Sequence, residues 1–173
     1  LRGADGEDVS AESVRKKIQR IGSKSINEEN TRATLIDPVL RALGWDTEDL
    51  EDVQREYKVK SRDKPVDYAL LSMRNVRLFI EAKALGGDLE DRRWANQIMG
   101  YATVAGVEWI VLTNGSEWRL YNAHAPVAVE DKLFRRVSID DHAAAIETLE
   151  PRAKDRLEDN RIEVLWRAHF VDR

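Results

Sequence analysis

The 173 residues include no cysteine. That absence excludes disulfide scaffolds, zinc–thiolate sites, iron–sulfur clusters and thiol nucleophiles. No apolar run approaches the ~20 residues that span a bilayer, so no membrane partner is expected. No basic-then-apolar leader opens the chain, and the expected compartment is cytoplasmic. Positive charge is not in excess either. Lys and Arg number 28 against 32 Asp and Glu, a net charge of −4. This is not the bulk signature of a protein that coats nucleic acid, so contact with a polyanion must use local patches. No G-x4-G-K-[S/T] loop is present, which excludes ATP hydrolysis by that route. Internal repeats and low-complexity stretches are also missing.

What is present suits a folded domain. The chain is 42% hydrophobic and 35% charged, and a domain near this size hides about two-thirds of its unfolded surface. Residues 1–12 are acidic and aperiodic, and a frayed end is expected there. Residues 13–25 hold Arg15, Lys16, Lys17, Arg20 and Lys24 with Val14, Ile18 and Ile21 at helical spacing. We divide the chain into a basic N-terminal helix or tail at 1–25, a main domain at 26–140, and C-terminal helices at 141–173.

Asn27 can cap the next helix, and Glu28 and Glu29 suit its positive end. Leu35, Ile36, Val39, Leu40 and Leu43 form one apolar stripe. Pro38 lies inside that stripe and should bend the helix, and Gly44 stops it. Residues 44–52 read as an acidic loop. Three strand-like runs follow, at 53–60, 66–71 and 76–83, the last two joined by Ser72-Met73-Arg74-Asn75 as a tight hairpin. Asp88 is expected to cap a helix to about Ala105, with Trp94, Ile98, Tyr101, Ala102 and Ala105 on one stripe. Glu108 to Thr113 reads as a buried strand, Asn114-Gly115 as a type I′ turn, and Trp118 to Tyr121 as the returning strand. Phe134 to Ile139 adds an edge strand. Asp140 or Asp141 caps a helix through Leu149. Ile162, Leu165, Trp166, His169 and Phe170 space a last amphipathic helix. The order predicts an α/β fold: a central mixed β-sheet (helix, three-strand meander, helix, strands) flanked by helices, with a helical C-terminal extension.

The second hairpin carries the chemistry. If it centres on Arg74, Asp67 lies opposite Glu81, with Cβ atoms roughly 5 Å apart. Two partly buried carboxylates that close require a proton or a cation. All-oxygen ligands favour a hard cation, Mg²⁺ with Mn²⁺ as substitute. Strand alternation puts Lys83 on the same side as Glu81, where its ammonium can order or activate a water. Metal, water and base are the parts of phosphodiester hydrolysis. By spacing alone, D-x13-E-x-K is also compatible with an exposed salt-bridge cluster. Glu56 on the first strand reads as an exposed charge, with an approach to the metal face as the alternative. His124, His142 and His169 have no partner spacing and read as surface or core residues.

The segments NEENTRATLIDPVLRALGW, REYKV, VDYALL, FIEAK, QIMGY and LTNGSEWRLYN, in that order, resemble the N-terminal nuclease domain of type I restriction enzyme R proteins. That domain belongs to the PD-(D/E)XK nuclease superfamily. The resemblance spans about residues 26–140 and implies a restriction-endonuclease-like core. It implies that Asp67 and Glu81 hold the metal with the backbone carbonyl of Ala82, and that Lys83 is the motif lysine. It implies that Glu28, with Glu29 as competitor, is the acid brought by the first helix. Gln97 and Tyr101 match the family's Q-x3-Y motif and share one helical face, where they would hold the substrate or the site. Pro65 stands one position early, before Val66 rather than Asp67. The function implied is that of a Mg²⁺-dependent DNA endonuclease in a restriction or related antiviral defence system. The alternative is a non-cutting nucleic-acid-binding or assembly module.

Phosphate contacts are expected from Lys58, Lys60 and Arg62 in the stretch 53–64 and from Arg92 and Arg93. Lys132, Arg135 and Arg136 form a further basic cluster. Such contacts weaken with salt and carry little base specificity. The resemblance implies a helicase motor in the whole restriction subunits, expected here on a removed segment or a separate chain, unless this is a free-standing nuclease-like protein. Helicase, specificity and methyltransferase subunits are therefore the implied partners besides DNA.

Overall fold

The computed structural model describes residues 11–141 together with 144, 145 and 149. Among them, six strands lie side by side in chain order. They are β1 (Val53–Tyr57), β2 (Val66–Ser72), β3 (Asn75–Ala82), β4 (Trp109–Thr113), β5 (Glu117–Asn122) and β6 (Leu133–Ser138). All neighbours are antiparallel except β3 and β4, which run parallel. Parallel strands cannot be joined by a tight turn, and a helix at Arg92–Ala105 makes the crossover.

Period-two burial sorts the sheet residues onto two covered faces. Tyr68, Leu70, Leu78, Ile80, Trp109, Val111, Trp118 and Leu120 face the N-terminal helices, meeting Val14, Leu35, Ile36, Val39 and Leu40. Ala69, Leu71, Phe79, Ile110, Leu112 and Tyr121 face the crossover helix, meeting Ile98, Met99 and Ala102. Coverage on both sides explains the nearly continuous apolar run of β4, whose five residues are all buried. Trp118 and Tyr121 are core residues.

The basic helix is α1 (Ala11–Ile21). Val14 is fully buried, and Ile18 and Ile21 pack against the same core. The helix after Asn27 is not one bent rod. It runs as α2 (Glu28–Thr31), a π-helical turn (Arg32–Ile36) and α3 (Asp37–Ala42). Asn27 caps it as expected, its side chain accepting from the Asn30 N–H at 2.8 Å. The Asp37 N–H reaches back to the Arg32 carbonyl, one residue further than in an α-helix. That wider turn restarts the helix, so Pro38 is the second residue of α3, where its missing N–H costs little.

Two expectations need correction, and one open choice is decided. The crossover helix, α4, begins at Arg92 with Asp91 as its cap. Asp88 instead closes a turn on the Glu90 N–H at 2.8 Å. The cause is tertiary: Leu89 is buried, and Arg119 binds its carbonyl and the Glu90 carboxylate. At the β4–β5 turn only Gly115 has positive φ (83°), at the first central position of the loop Gly115–Ser116. That is the II′ pattern, not the I′ pattern expected for Asn114-Gly115. The Asn114 side chain accepts from Ser116 and Glu117 N–H groups instead. At the C-terminal end, Asp141 rather than Asp140 accepts from the Ala144 N–H. The rest of that helix, the tail helix with His169, His142 and residues 1–10 lie outside the described residues. No helix among the described residues is long and apolar enough to cross a membrane.

Candidate active site

The hairpin turn is Met73–Arg74, both with positive φ (50° and 65°). That is a type I′ conformation without the Asn or Gly that usually supplies it. A register shift between Leu70 and Leu71 moves the pairing by one residue, after which Leu70 faces Leu78, Ala69 faces Phe79 and Tyr68 faces Ile80. Continued by one step, this register sets Asp67 opposite Glu81. The pairing expected from a centre at Arg74 therefore holds through a bulge that compensates the shorter turn.

The Asp67 carboxylate is held at both oxygens. Oδ2 accepts from the Ala82 N–H at 2.6 Å and Oδ1 from Arg32 Nη1 at 2.9 Å. Glu81 Oε1 accepts from Lys83 Nζ at 2.8 Å. Lys83 follows the last residue of β3, and its N–H binds the Thr113 carbonyl at the end of β4. Its backbone thus continues the strand, so the 81/83 spacing keeps both side chains on one side. The cluster sits beyond the carboxyl ends of the parallel pair, the usual place for ligands in open α/β sheets.

Burial above all, with the charges of Glu81 and Glu28, raises the Asp67 carboxyl to about 7 against the opposing pull of the Ala82 N–H and Arg32. Glu81 is raised by burial first and also by Glu28, against the pull of Lys83. Glu28, half-buried at the start of α2, therefore acts on both carboxylates, whereas Glu29 is exposed. Among the described residues no three His, Asp or Glu side chains gather closely enough to hold an ion by themselves. The oxygen donors available are the Asp67 and Glu81 carboxylates, with the Glu28 charge acting on both. Two buried acids that resist ionising together, with oxygen donors alone, fit a hard divalent cation.

Helix α4 contributes more than expected from its stripe. Trp94 places its ring 4.0 Å from Lys83 Nζ, a cation–π contact. Trp94 read in sequence as core only, because a tryptophan on an apolar helical stripe carries no sign of a charged neighbour. Gln97 and Tyr101 are half-buried one and two turns on, and neither side chain makes a hydrogen bond among the described residues. Tyr101 packs on the core below α4.

Arg32 carried no signal recognised in the sequence, and Glu56, exposed as expected, reaches the site through it. Arg32 Nη1 bridges Asp67 Oδ1 and Glu56 Oε1, the latter at 2.6 Å. The i, i+4 spacing of Glu28 and Arg32 was the available signal. Glu56 has φ 51°, left-handed in mid-strand, and is the β1 residue without a ladder partner on β2. Around it the strand changes face: Arg55 binds Asp37 of α3, while Tyr57, two residues on, packs on the opposite core. A left-handed non-glycine residue costs about 1 kcal/mol or more.

Lys58, Lys60, Arg62, Arg92 and Arg93 are all exposed. Arg93 is committed to Asp91 at 2.6 Å. The cluster at Lys132, Arg135 and Arg136 is structural in part: Lys132 Nζ donates to the Ala123 and Ala125 carbonyls, and Arg136 pairs with Glu90 and Glu117. His124 is exposed.

Residues 27–131 match the family described as type I restriction enzyme R protein N terminus. The fold is similar to a crystal structure of the type IIG restriction endonuclease BpuSI, with TM-score 0.55 and 15% identity over 78% of this chain. It is similar also to a cryo-electron microscopy structure of a DrdV–DNA complex, with TM-score 0.54 and 16% identity over 82%. The matched parts are 18% and 13% of those chains. No curated protein matches the chain.

Proposed function

The chain belongs to the family of type I restriction enzyme R protein N termini, and on that premise we propose that it is a Mg²⁺-dependent DNA endonuclease domain of the PD-(D/E)XK type, acting within a restriction system. One observation carries the reading: Asp67 and Glu81, opposed across the β2–β3 hairpin, are both driven away from ionisation by burial and by the Glu28 charge, Asp67 also by Glu81, with Lys83 bonded to Glu81.

Asp67, Glu81 and the Ala82 carbonyl would hold the cation, and Glu28 would add negative charge nearby. Bound there, Mg²⁺ would act as a Lewis acid toward the scissile phosphate and make a water nucleophilic near neutral pH. The Ala82 N–H fixes the Asp67 carboxylate plane. Glu81 and the Trp94 ring fix the Lys83 ammonium from two sides, so that Lys83 orders the attacking water. Exposed Lys58, Lys60, Arg62 and Arg92 supply phosphate contacts, and Gln97 and Tyr101 line the α4 side. A motor, a specificity subunit and a methyltransferase are the partners this role calls for.

The test is nicking of supercoiled plasmid DNA with Mg²⁺ and with EDTA. The chain should nick only with the metal, and Asp67→Ala and Glu81→Ala should each abolish nicking while keeping the wild-type circular dichroism. Cutting that survives either substitution overturns the mechanism. A chelator-insensitive, salt-dependent gel shift without nicking would identify a binding module instead.

A further inference from the structure

We propose that Arg32 is a phosphate clamp: anchored by Glu56 and Asp67 through one nitrogen, its guanidinium binds the non-bridging oxygens of the DNA phosphodiester at this site. The inference rests on the nuclease reading above and deepens it by naming a substrate contact.

Both anchors use Nη1. Nε and Nη2 make no bond to any described residue, so the rest of the donor fork is free. The Arg32 side chain keeps 21% exposure, enough for a ligand to reach it. A guanidinium is always charged and its planar fork matches phosphate bidentately. Purely structural arginines in this chain are used differently. Arg119 spends Nε, Nη1 and Nη2 on Glu117, the Leu89 carbonyl and Glu90. Arg55 grips both oxygens of Asp37.

Two uncommon backbone features converge on this side chain. The π-helical turn begins at Arg32, and such turns occur often at functional sites. Glu56 reaches Arg32 from a left-handed strand residue. Conformations of that kind persist where the surroundings enforce them, and they cluster at sites of function. An anchor on one nitrogen holds the fork beside the carboxylate pair without consuming it.

The experiment measures binding and cutting separately. Anisotropy of a short fluorescein-labelled DNA duplex is followed against NaCl concentration in EDTA, for wild type, Arg32→Gln and Arg32→Lys. Nicking by the same proteins is followed in Mg²⁺. Arg32→Gln should reduce the slope of log affinity against log salt by about one phosphate contact and slow nicking about 100-fold. Arg32→Lys should keep the salt slope, because the charge remains, yet nick about 10-fold or more below wild type, because the fork is gone. An arginine that only props Asp67 would slow nicking and leave the salt slope untouched, and that result overturns the proposal. So does wild-type nicking by Arg32→Lys, which also decides the matter if Arg32→Gln fails to fold. A wild type that binds but never nicks, with the slope reduced in Arg32→Gln, keeps the clamp and removes the nuclease reading. A wild type that binds no duplex removes both.

Discussion

Lys83 is gripped by an anion on one side and an aromatic face on the other, and the two grips make different predictions. Lys83→Met removes the ammonium and should lower the nicking rate by about 10²–10⁴-fold, the usual range for a positioned proton-transfer group. Trp94→Leu removes only the ring, worth roughly 0.5–2 kcal/mol to a cation, so nicking should fall about 2- to 30-fold. Trp94→Tyr should recover most of it. A second residue-scale test lies away from the site. Asp37 is buried and accepts from Arg55 at 2.8 Å and from the Tyr68 hydroxyl at 2.7 Å. Asp37→Ala strands both donors and should cost about 2–4 kcal/mol in urea denaturation, with the nicking rate per folded molecule little changed. At this scale the sequence showed the acids and the lysine, because paired carboxylates before a lysine on neighbouring strands carry a chemical meaning of their own. It hid the link between Arg32 and Glu56, since an arginine on a helix and a glutamate on a strand give no sign of each other until the fold brings them within 2.6 Å.

Elements place these residues, and the β4–β5 turn is a tight joint among them. A Cβ on Gly115 would stand 2.9 Å from Leu35 Cβ and Cδ1 and 3.3 Å from Thr31 Cγ2, at φ +83°. Leu35 is fully buried, and the Thr31 hydroxyl accepts from the Leu85 N–H at 2.9 Å. The turn, α2 and the chain after Lys83 therefore share one contact. Gly115→Ala should cost about 2–3 kcal/mol and lower nicking too, by displacing the turn of helix that carries Glu28 and Arg32. Gly100→Ala, in an exposed stretch of α4 with nothing within 4 Å of the new methyl, should stabilise by about 0.5–1 kcal/mol. Thermal melts of the two variants read these effects in opposite directions. Element identity was legible because the apolar periods are strong: β2 and β3 were expected at 66–71 and 76–83 and lie at Val66–Ser72 and Asn75–Ala82. The failures occurred where distant residues override a local signal. Arg119 pulls residues 89 and 90 out of helix, and Pro38 is accommodated by a π-helical turn that no local pattern announces.

For the whole molecule, the site is a source of instability that pH and a cation should both expose. Asp67 in the fold ionises only near 7, while in the unfolded chain it ionises near 3.8. Between those values the native state holds a proton that the unfolded state has released. Stability must then fall as pH rises from about 4 to about 7, by up to about 1.4 kcal/mol per pH unit for this proton. Glu81, shifted the same way, adds to the slope. Asp67→Asn cannot ionise, so its stability relative to wild type should climb across the same window, and parallel urea curves for the two proteins would refute the linkage. A divalent cation binds the ionised pair and not the protonated one. Added Mg²⁺ or Mn²⁺ should therefore raise the wild-type melting temperature at pH 8, leave it nearly unchanged at pH 5, and do little at either pH to Asp67→Asn. The stabilisation at pH 8 should follow RT ln(1 + [M]/Kd), so a melting series in metal concentration gives the affinity without any DNA or cutting. Equal shifts in wild type and Asp67→Asn would place the cation elsewhere on the protein.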